Sequence, residues 1–424
     1  MSRKILIDTL TDQQLQKLSK ELQVAQEPSK YAFNARPNYI CLYEAEQNDL
    51  YVPFAYNTQY PRPERSFYPE QHYHFHGELR EDQKKVRTEA IDRLNNHGSV
   101  IIASYPGYGK TFLGIYIASK IKMKTLIICN RIQLIKQWQD SITKFCHRAT
   151  SQVITPKSEM KDVDFYIINA TNVPKKHRSF YKEIGFVIVD ECHLIMAEKL
   201  SHCMRYLLPR YVLGLSATPY RTDGLNVLLD MYFGKYKIER KLFRKHTVYR
   251  VNTGFKPDVK LNRQGKVDWS SVLESTCSNK ERNEMIIRVI KYFPDRIFLV
   301  LCKRVDQGNY LVERLKEEKE DVTSLIGKNQ EYEQKSRILV GTVQKTGTGF
   351  DHPRLNAMIL ASDVEQYFVQ YLGRVFRTQE GEPLIFDFVD DYNLLLKHFR
   401  TRSSIYIEHG GVVKDFNREF PNFK

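Results

Sequence analysis

The rhythm of apolar and polar positions takes three forms along this chain. Between residues 5 and 24, Leu6, Leu10, Leu15, Leu18 and Leu22 recur at helical spacing, with Thr11 or Asp12 placed to cap. A helix is predicted there. Residues 31–77 break that rhythm: 12 Tyr and Phe stand among prolines at 37, 53, 61, 63 and 69. Such a segment disfavours helix and predicts short strands and loops. From about residue 78 short β-type runs alternate with helical stretches. They are VIIAS (100–104), TLIICN (125–130), FYIIN (165–169), FVIVD (186–190) and YVLGLS (211–216). The alternation resumes in RIFLVLC (296–302), SRILVGT (336–342), AMILAS (357–362) and PLIFDFV (383–389). Apolar strands separated by helices predict parallel sheets covered on both faces.

Two α/β blocks are thus expected, joined by the mixed stretch 221–280. The expected division is 1–77 as a small accessory domain, 78–240 as the first α/β domain and 241–424 as the second. No apolar run approaches the roughly 18 residues of a membrane span, and the N-terminus lacks the pattern of a secretory signal. The seven cysteines are scattered without a Cys-x-x-Cys pair, which fits a reducing, intracellular setting better than a disulfide framework.

Charge adds a partner. The chain carries a net +15, yet residues 1–77 hold 8 basic and 9 acidic side chains, so the excess lies in the α/β part. A polyanion, most often nucleic acid, is the expected counterpart; a lysine-rich solvated surface is the alternative.

Candidate chemistry starts at SYPGYGKT (104–111), set between a β-type run and a helical one. A phosphate loop needs inward backbone N–H groups, a lysine for the β- and γ-phosphates and a hydroxyl for Mg2+. Gly107 and Gly109 let the backbone curl, Lys110 supplies the charge and Thr111 the hydroxyl. The helix that follows points its N-terminal amides at the anion. Ser104 occupies the position of the usual first glycine. A plain glycine turn is the alternative. The run FVIVDECH then ends in Asp190 and Glu191, at the strand end where such sheets bind ligand. Asp190 is expected to hold Mg2+ through water, and Glu191 to orient or deprotonate the attacking water. A capping Asp-Glu pair is the bland reading. Cys192 fits packing rather than nucleophilic chemistry.

With these two motifs the chain resembles the superfamily 2 helicases, whose Asp-Glu-x-His box has the variant Asp-Glu-Cys-His here. Further pieces fall in that family's order: LREDQ (79–83), CNRIQLIKQW (129–138), GLSATPYRTDG (214–224), LVLCKR (299–304), GTVQKTGTGFD (341–351) and QYLGRVFR (370–377). The variants look closer to XPB-like and phage UvsW-like DNA helicases, and to the poxvirus-type transcript-release helicases of large DNA viruses, than to DEAD-box RNA helicases. The resemblance implies two tandem RecA-like parallel-sheet domains facing each other across an ATP cleft, beside the small Tyr/Pro-rich N-terminal domain. It implies ATP and Mg2+ as cofactors, with Gln83 reading adenine and Gly349 and Asp351 bordering the cleft. It brings Arg374 and Arg377 to the γ-phosphate, and it makes His193, Ser216 and Thr218 couple nucleotide state to strand grip. Arg131, Thr171, Arg221, Lys303, Arg304 and Thr342 become candidate nucleic-acid contacts, against readings as surface charge or caps. The implied protein is an ATP-driven DNA helicase or translocase serving transcription or repair machinery, in the nucleus or cytoplasm, or in a viral factory or virion. An RNA track, or a scaffold without hydrolysis, stays open as an alternative.

The triplet His72, His74 and His76 in HYHFH would share one face of a strand. With no adjacent Cys or carboxylate pair it reads as an aromatic strand before a metal site.

Overall fold

The computed structural model describes residues 1–26, 38–57, 59–195, 202–217, 225–329, 331–346, 352, 354–364, 368–376 and 381–423. The chain divides into two compact units, Met1–Arg240 and Lys241–Lys424.

The first unit opens with strand β1 (Ser2–Leu6) and helix α1 (Asp12–Glu21). The helix expected within 5–24 forms from its expected cap onward, and the residues before that cap are strand. Residues 2–6 pair antiparallel with β5 (Asp49–Pro53), and β4 (Glu44–Glu46) completes a three-stranded sheet. Leu6 is exposed, while Ile5 points into the core, which is strand alternation rather than a helical stripe. Thr11 does cap α1: its side chain and that of Gln14 form a reciprocal capping box. Strands β2 (Gln23–Gln26) and β3 (Asn38–Cys41) make a further antiparallel pair.

The parallel sheet of this unit follows the pair-forming strand β6 (His74–Phe75) and helix α2 (Glu81–His97). Its strands are β7 (Ser99–Ser104), β8 (Thr125–Cys129), β10 (Ser151–Ile154), β11 (Phe165–Asn169), β12 (Phe186–Asp190), β13 (Tyr211–Ser216) and β14 (Lys237–Arg240). The spatial order is β10-β11-β8-β12-β13-β7-β14, every pair parallel. Helices α3 (Lys110–Ile121) and α4 (Ile132–Phe145) cover it, and the two-residue β9 (Cys146–His147) pairs with β6. Just past that pair the His76 ring stands edge-on to His147 at 4.1 Å.

The second unit holds β15 (His246–Asn252), β16 (Phe298–Cys302), β17 (Val322–Leu325), β18 (Ile338–Thr342), β19 (Ala357–Leu360), β20 (Leu384–Val389) and β21 (Gly411–Asp415). They form a second seven-stranded sheet in the order β17-β18-β16-β19-β20-β15-β21, again wholly parallel. The strands read from apolar runs are the interior ones of each sheet, and their residues are almost all fully buried. The fold is α/β with two parallel-sheet layers, as the pattern predicted.

Candidate active site

The first unit builds the candidate nucleotide site on the carboxyl ends of β7 and β12. The chain leaves β7 at Ser104 and re-enters helix at Lys110. Between them Gly107 and Gly109 have φ of 86° and 92°, the left-handed region that favours glycine. Gly109 is held to glycine a second way, because a Cβ there would lie 2.7 Å from Gln83 Nε2. Ser104 replaces the usual first glycine without strain because it is the last residue of an extended strand. Its carbonyl accepts Lys110 Nζ at 2.9 Å, and its buried Oγ has no hydrogen-bond partner. A polar atom left so at the mouth of this loop fits a ligand oxygen.

Gln83 is buried against the same loop. Its Oε1 accepts the Arg80 backbone N–H at 3.0 Å, and its Nε2 donates to the Tyr108 carbonyl at 2.7 Å. Arg80 Nη2 donates to that carbonyl as well, at 2.7 Å. The residue expected to read adenine is therefore tied directly to the phosphate-loop backbone. Thr111 sits half-buried in the first turn of α3.

Asp190 closes β12, 6% exposed. One carboxylate oxygen accepts the Glu191 N–H at 3.0 Å and the other the Trp138 indole N–H at 2.8 Å. Burial first, then the neighbouring Glu191 charge, pushes its carboxyl up to about 6, against the pull of Trp138 and of the Lys110 ammonium. Lys110, Asp190 and Glu191 are thus brought within electrostatic reach of one another. Glu191 adopts φ 48°, a left-handed conformation costing a non-glycine residue about 1–3 kcal/mol. Its Oε2 is buried without a hydrogen-bond partner, 3.5 Å from His193 Nδ1. That same ring nitrogen lies 2.8 Å from Ser216 Oγ at the end of β13. Glu191, His193 and Ser216 form one relay from the carboxylate to β13, the strand that pairs directly with β7 and its phosphate loop. Cys192 is fully buried and its thiol is pushed well above the ordinary range by burial, so it packs.

Trp138 was not singled out by sequence reasoning. The available signal was its place on the apolar face of α4, where a fully buried indole must find an acceptor for its N–H.

The candidate nucleic-acid contacts gather at the carboxyl ends of the strands. Arg131 precedes α4 after β8 and is exposed, without a side-chain capping bond; Thr171 follows the neighbouring β11, its hydroxyl donating to Asn169 Oδ1 at 2.7 Å. In the second unit Lys303 and Arg304 follow β16, and Thr342 ends the adjacent β18. Thr342 is 7% exposed, and Arg304 donates to Ser270 Oγ at 2.7 Å. Arg374 lies half-buried near the end of the helix Phe368–Val375. Arg377, Gly349, Asp351, Thr218 and Arg221 lie outside the described residues. Among the described residues no His, Cys, Asp and Glu cluster has metal-binding form, and no helix is long and apolar enough to cross a membrane.

This geometry has counterparts. Residues 76–221 match the model of the type III restriction enzyme res subunit. The helicase-named protein 161L of Invertebrate iridescent virus 6 is 40% identical over 98% of this chain and 100% of its own length. The helicase-named 055L of Frog virus 3 is 33% identical over 79% of each. A DNA 3'-5' translocase, XPB2 of Sulfurisphaera tokodaii, is 22% identical over 73% of this chain and 83% of its own. Among solved structures, S. cerevisiae Dbp5 bound to RNA and ADP BeF3 superposes with a TM-score of 0.56 at 16% identity, covering 79% of this chain and 90% of its own. That last likeness concerns the fold, two tandem RecA-like domains. The protein is an ATP-dependent helicase acting on nucleic acid. It belongs to the superfamily 2 helicases, in the group carried by large DNA viruses and shared with 161L.

Proposed function

We propose that this helicase moves on DNA, hydrolysing Mg2+-bound ATP in the site built by the first unit. The observation that carries the hydrolytic part is the convergence of Lys110, Asp190 and a left-handed Glu191 with a buried Oε2 beside the phosphate loop. DNA is favoured by the motif variants, which resemble the XPB-like group, and by the translocase among its relatives. Residues 1–77 are an accessory domain on the first α/β domain (78–240), with 241–424 the second. The task is transcript release, repair or recombination inside infected cells. An RNA track is the second reading, supported by the likeness to an RNA-bound fold.

The deciding experiment measures ATP hydrolysis with single-strand, duplex and forked DNA and with the matching RNAs. Stimulation by DNA with little response to RNA is expected; the reverse order moves the assignment to RNA. Lys110→Ala abolishes the signal. Glu191→Gln is expected to lower turnover about 10²–10⁴-fold while ATP still binds, as for loss of a general base.

Asp190 is the residue that would hold Mg2+, together with Thr111. A cation must displace the proton that Asp190 keeps up to about pH 6. Mg2+-nucleotide affinity is therefore expected to be full above that pH and to fall about tenfold per unit below it. Trp138→Phe removes a hydrogen bond that favours the ionised carboxylate, so the midpoint moves upward. Fluorescent-nucleotide titrations between about pH 5 and about pH 8, which bracket the raised value of about 6, read both effects. An unmoved midpoint in Trp138→Phe separates the indole from the carboxylate's ionisation.

A further inference from the structure

A second cationic site lies at the other end of the first sheet. Arg3 from β1, Tyr60 and Arg62 from the segment before α2, Asn96 and His97 at the end of α2, and Arg210 just before β13 line a cavity of about 470 Å³. This volume falls in the range of small-molecule sites. Among the described residues no carboxylate lines it, and none of the three arginines is paired with one.

The guanidinium groups are held in place by neutral acceptors. Arg62 donates to the carbonyls of Leu94 and Asn95, each at 3.0 Å. Arg210 Nη1 donates to the Pro63 carbonyl at 2.6 Å. Arg3 Nη1 donates to the Asn57 carbonyl at 3.2 Å and to that of Tyr60. These bonds fix each planar fork but cancel no charge. Arg3 is the sharpest case: it is 3% exposed, and its buried Nε has no hydrogen-bond partner. A buried cation without a counter-charge is costly, and the cost falls when an anion is supplied. The three groups also act on one another: burial first and then Arg62 lowers the Arg3 guanidinium to about 10, and burial and Arg210 lower that of Arg62.

Converging forks match tetrahedral oxyanions. We propose that this cavity binds a small phosphate-bearing anion, separate from the nucleotide, which ties the N-terminal strand layer to the first parallel sheet. The phosphate loop is at the opposite end of β7, about 20 Å away at about 3.3 Å per residue. Arg131 and Thr171 sit at that opposite end too, so the cavity is not on the face assigned to the nucleic-acid track. That placement favours a free phosphate or phosphate ester over a strand's phosphodiester.

Radiolabelled pyrophosphate tests it. The full-length Lys110→Ala protein, whose phosphate loop is disabled, is expected to keep one pyrophosphate site. Adding Arg62→Gln and Arg210→Gln is expected to weaken that site by about tenfold or more, since charge-assisted bonds are lost. The unmutated chain gives a second reading that no folding defect can blur. Phenylglyoxal should modify Arg62 and Arg210 readily, and pyrophosphate should protect both in peptide mass spectra. Absence of binding in Lys110→Ala together with unprotected Arg62 and Arg210 overturns the proposal. Displacement of pyrophosphate by an oligonucleotide at equal phosphate concentration overturns the small-anion assignment in favour of the strand.

Discussion

Arg374→Ala is expected to lower ATP turnover by about 10³–10⁵-fold at saturating nucleic acid, the scale of an arginine supplied to a transferring phosphoryl group. The assignment rests on the resemblance of QYLGRVFR to the family's last motif, and on the division of labour it implies. The first unit brings together the groups proposed to grip a nucleotide in its ground state: the phosphate-loop amides, Lys110 and Asp190. Charge that develops only as the γ-phosphoryl group departs needs a further cation. A group that acts only then lowers kcat and leaves binding nearly unchanged. The alanine variant should therefore keep ATP affinity within a few fold while kcat collapses. Arg374→Lys should not rescue, because an ammonium does not present the planar fork. Steady-state kinetics beside direct nucleotide titration separate the two quantities. A variant in which KM rises and kcat holds would place Arg374 in ground-state binding and remove it from the transition state.

What the sequence discloses follows the physics of burial. Strands covered on both faces carry continuous apolar runs, and β7, β8, β11, β12, β13, β16, β18, β19 and β20 were legible for that reason. The strands that escaped have polar sides. β10, β14, β17 and β21 lie at the sheet edges, where one flank is solvated. β15 is the harder case: HTVYRVN sits between β20 and β21 but leaves Tyr249 and Arg250 only partly covered, so it reads as alternation and not as a buried run. The unread strand at the N-terminus has the same root. A leucine stripe over 5–24 satisfies a helix and a strand-turn-helix equally, and only pairing with β5, distant in sequence, chooses between them. The candidate catalytic residues could be proposed from sequence because phosphate loops and strand-end carboxylates are local patterns. The partners that tune them, Trp138 on Asp190 and Gln83 on the Tyr108 carbonyl, are tertiary contacts with no local mark.

The same distinction explains the tail of the second unit, where the next large effect is expected. Arg402, on the helix Asn393–Glu408, is 3% exposed and bonds both oxygens of Asp387 on β20, each at 2.9 Å. Its remaining nitrogen reaches Asp363, which also accepts His398 Nδ1 at 2.7 Å. Tyr406 donates its hydroxyl to Asp387 at 2.9 Å. Burial alone would lower the Arg402 pKa; the charges and bonds of Asp387, and then Asp363, more than offset this and raise it. Arg402→Met keeps the stem and removes the charge, stranding one fully buried and one nearly buried carboxylate. Breaking such a pair from one side costs about 3–5 kcal/mol. The unfolding midpoint of the full chain in urea should fall accordingly. The partner substitution supplies the control: adding Asp387→Leu removes the stranded charge opposite the Met and should recover part of the loss, whereas additive losses would mean the two residues act independently. The consequence extends beyond stability. Asp363 lies on the chain between β19 and the helix that carries Arg374, so a released Asp363 should loosen that helix's entry. Arg402→Met is thus expected to lower kcat even at temperatures where it stays folded, with ATP affinity at the first unit retained. A folded Arg402→Met enzyme of normal kcat would confine this network to holding the second sheet together.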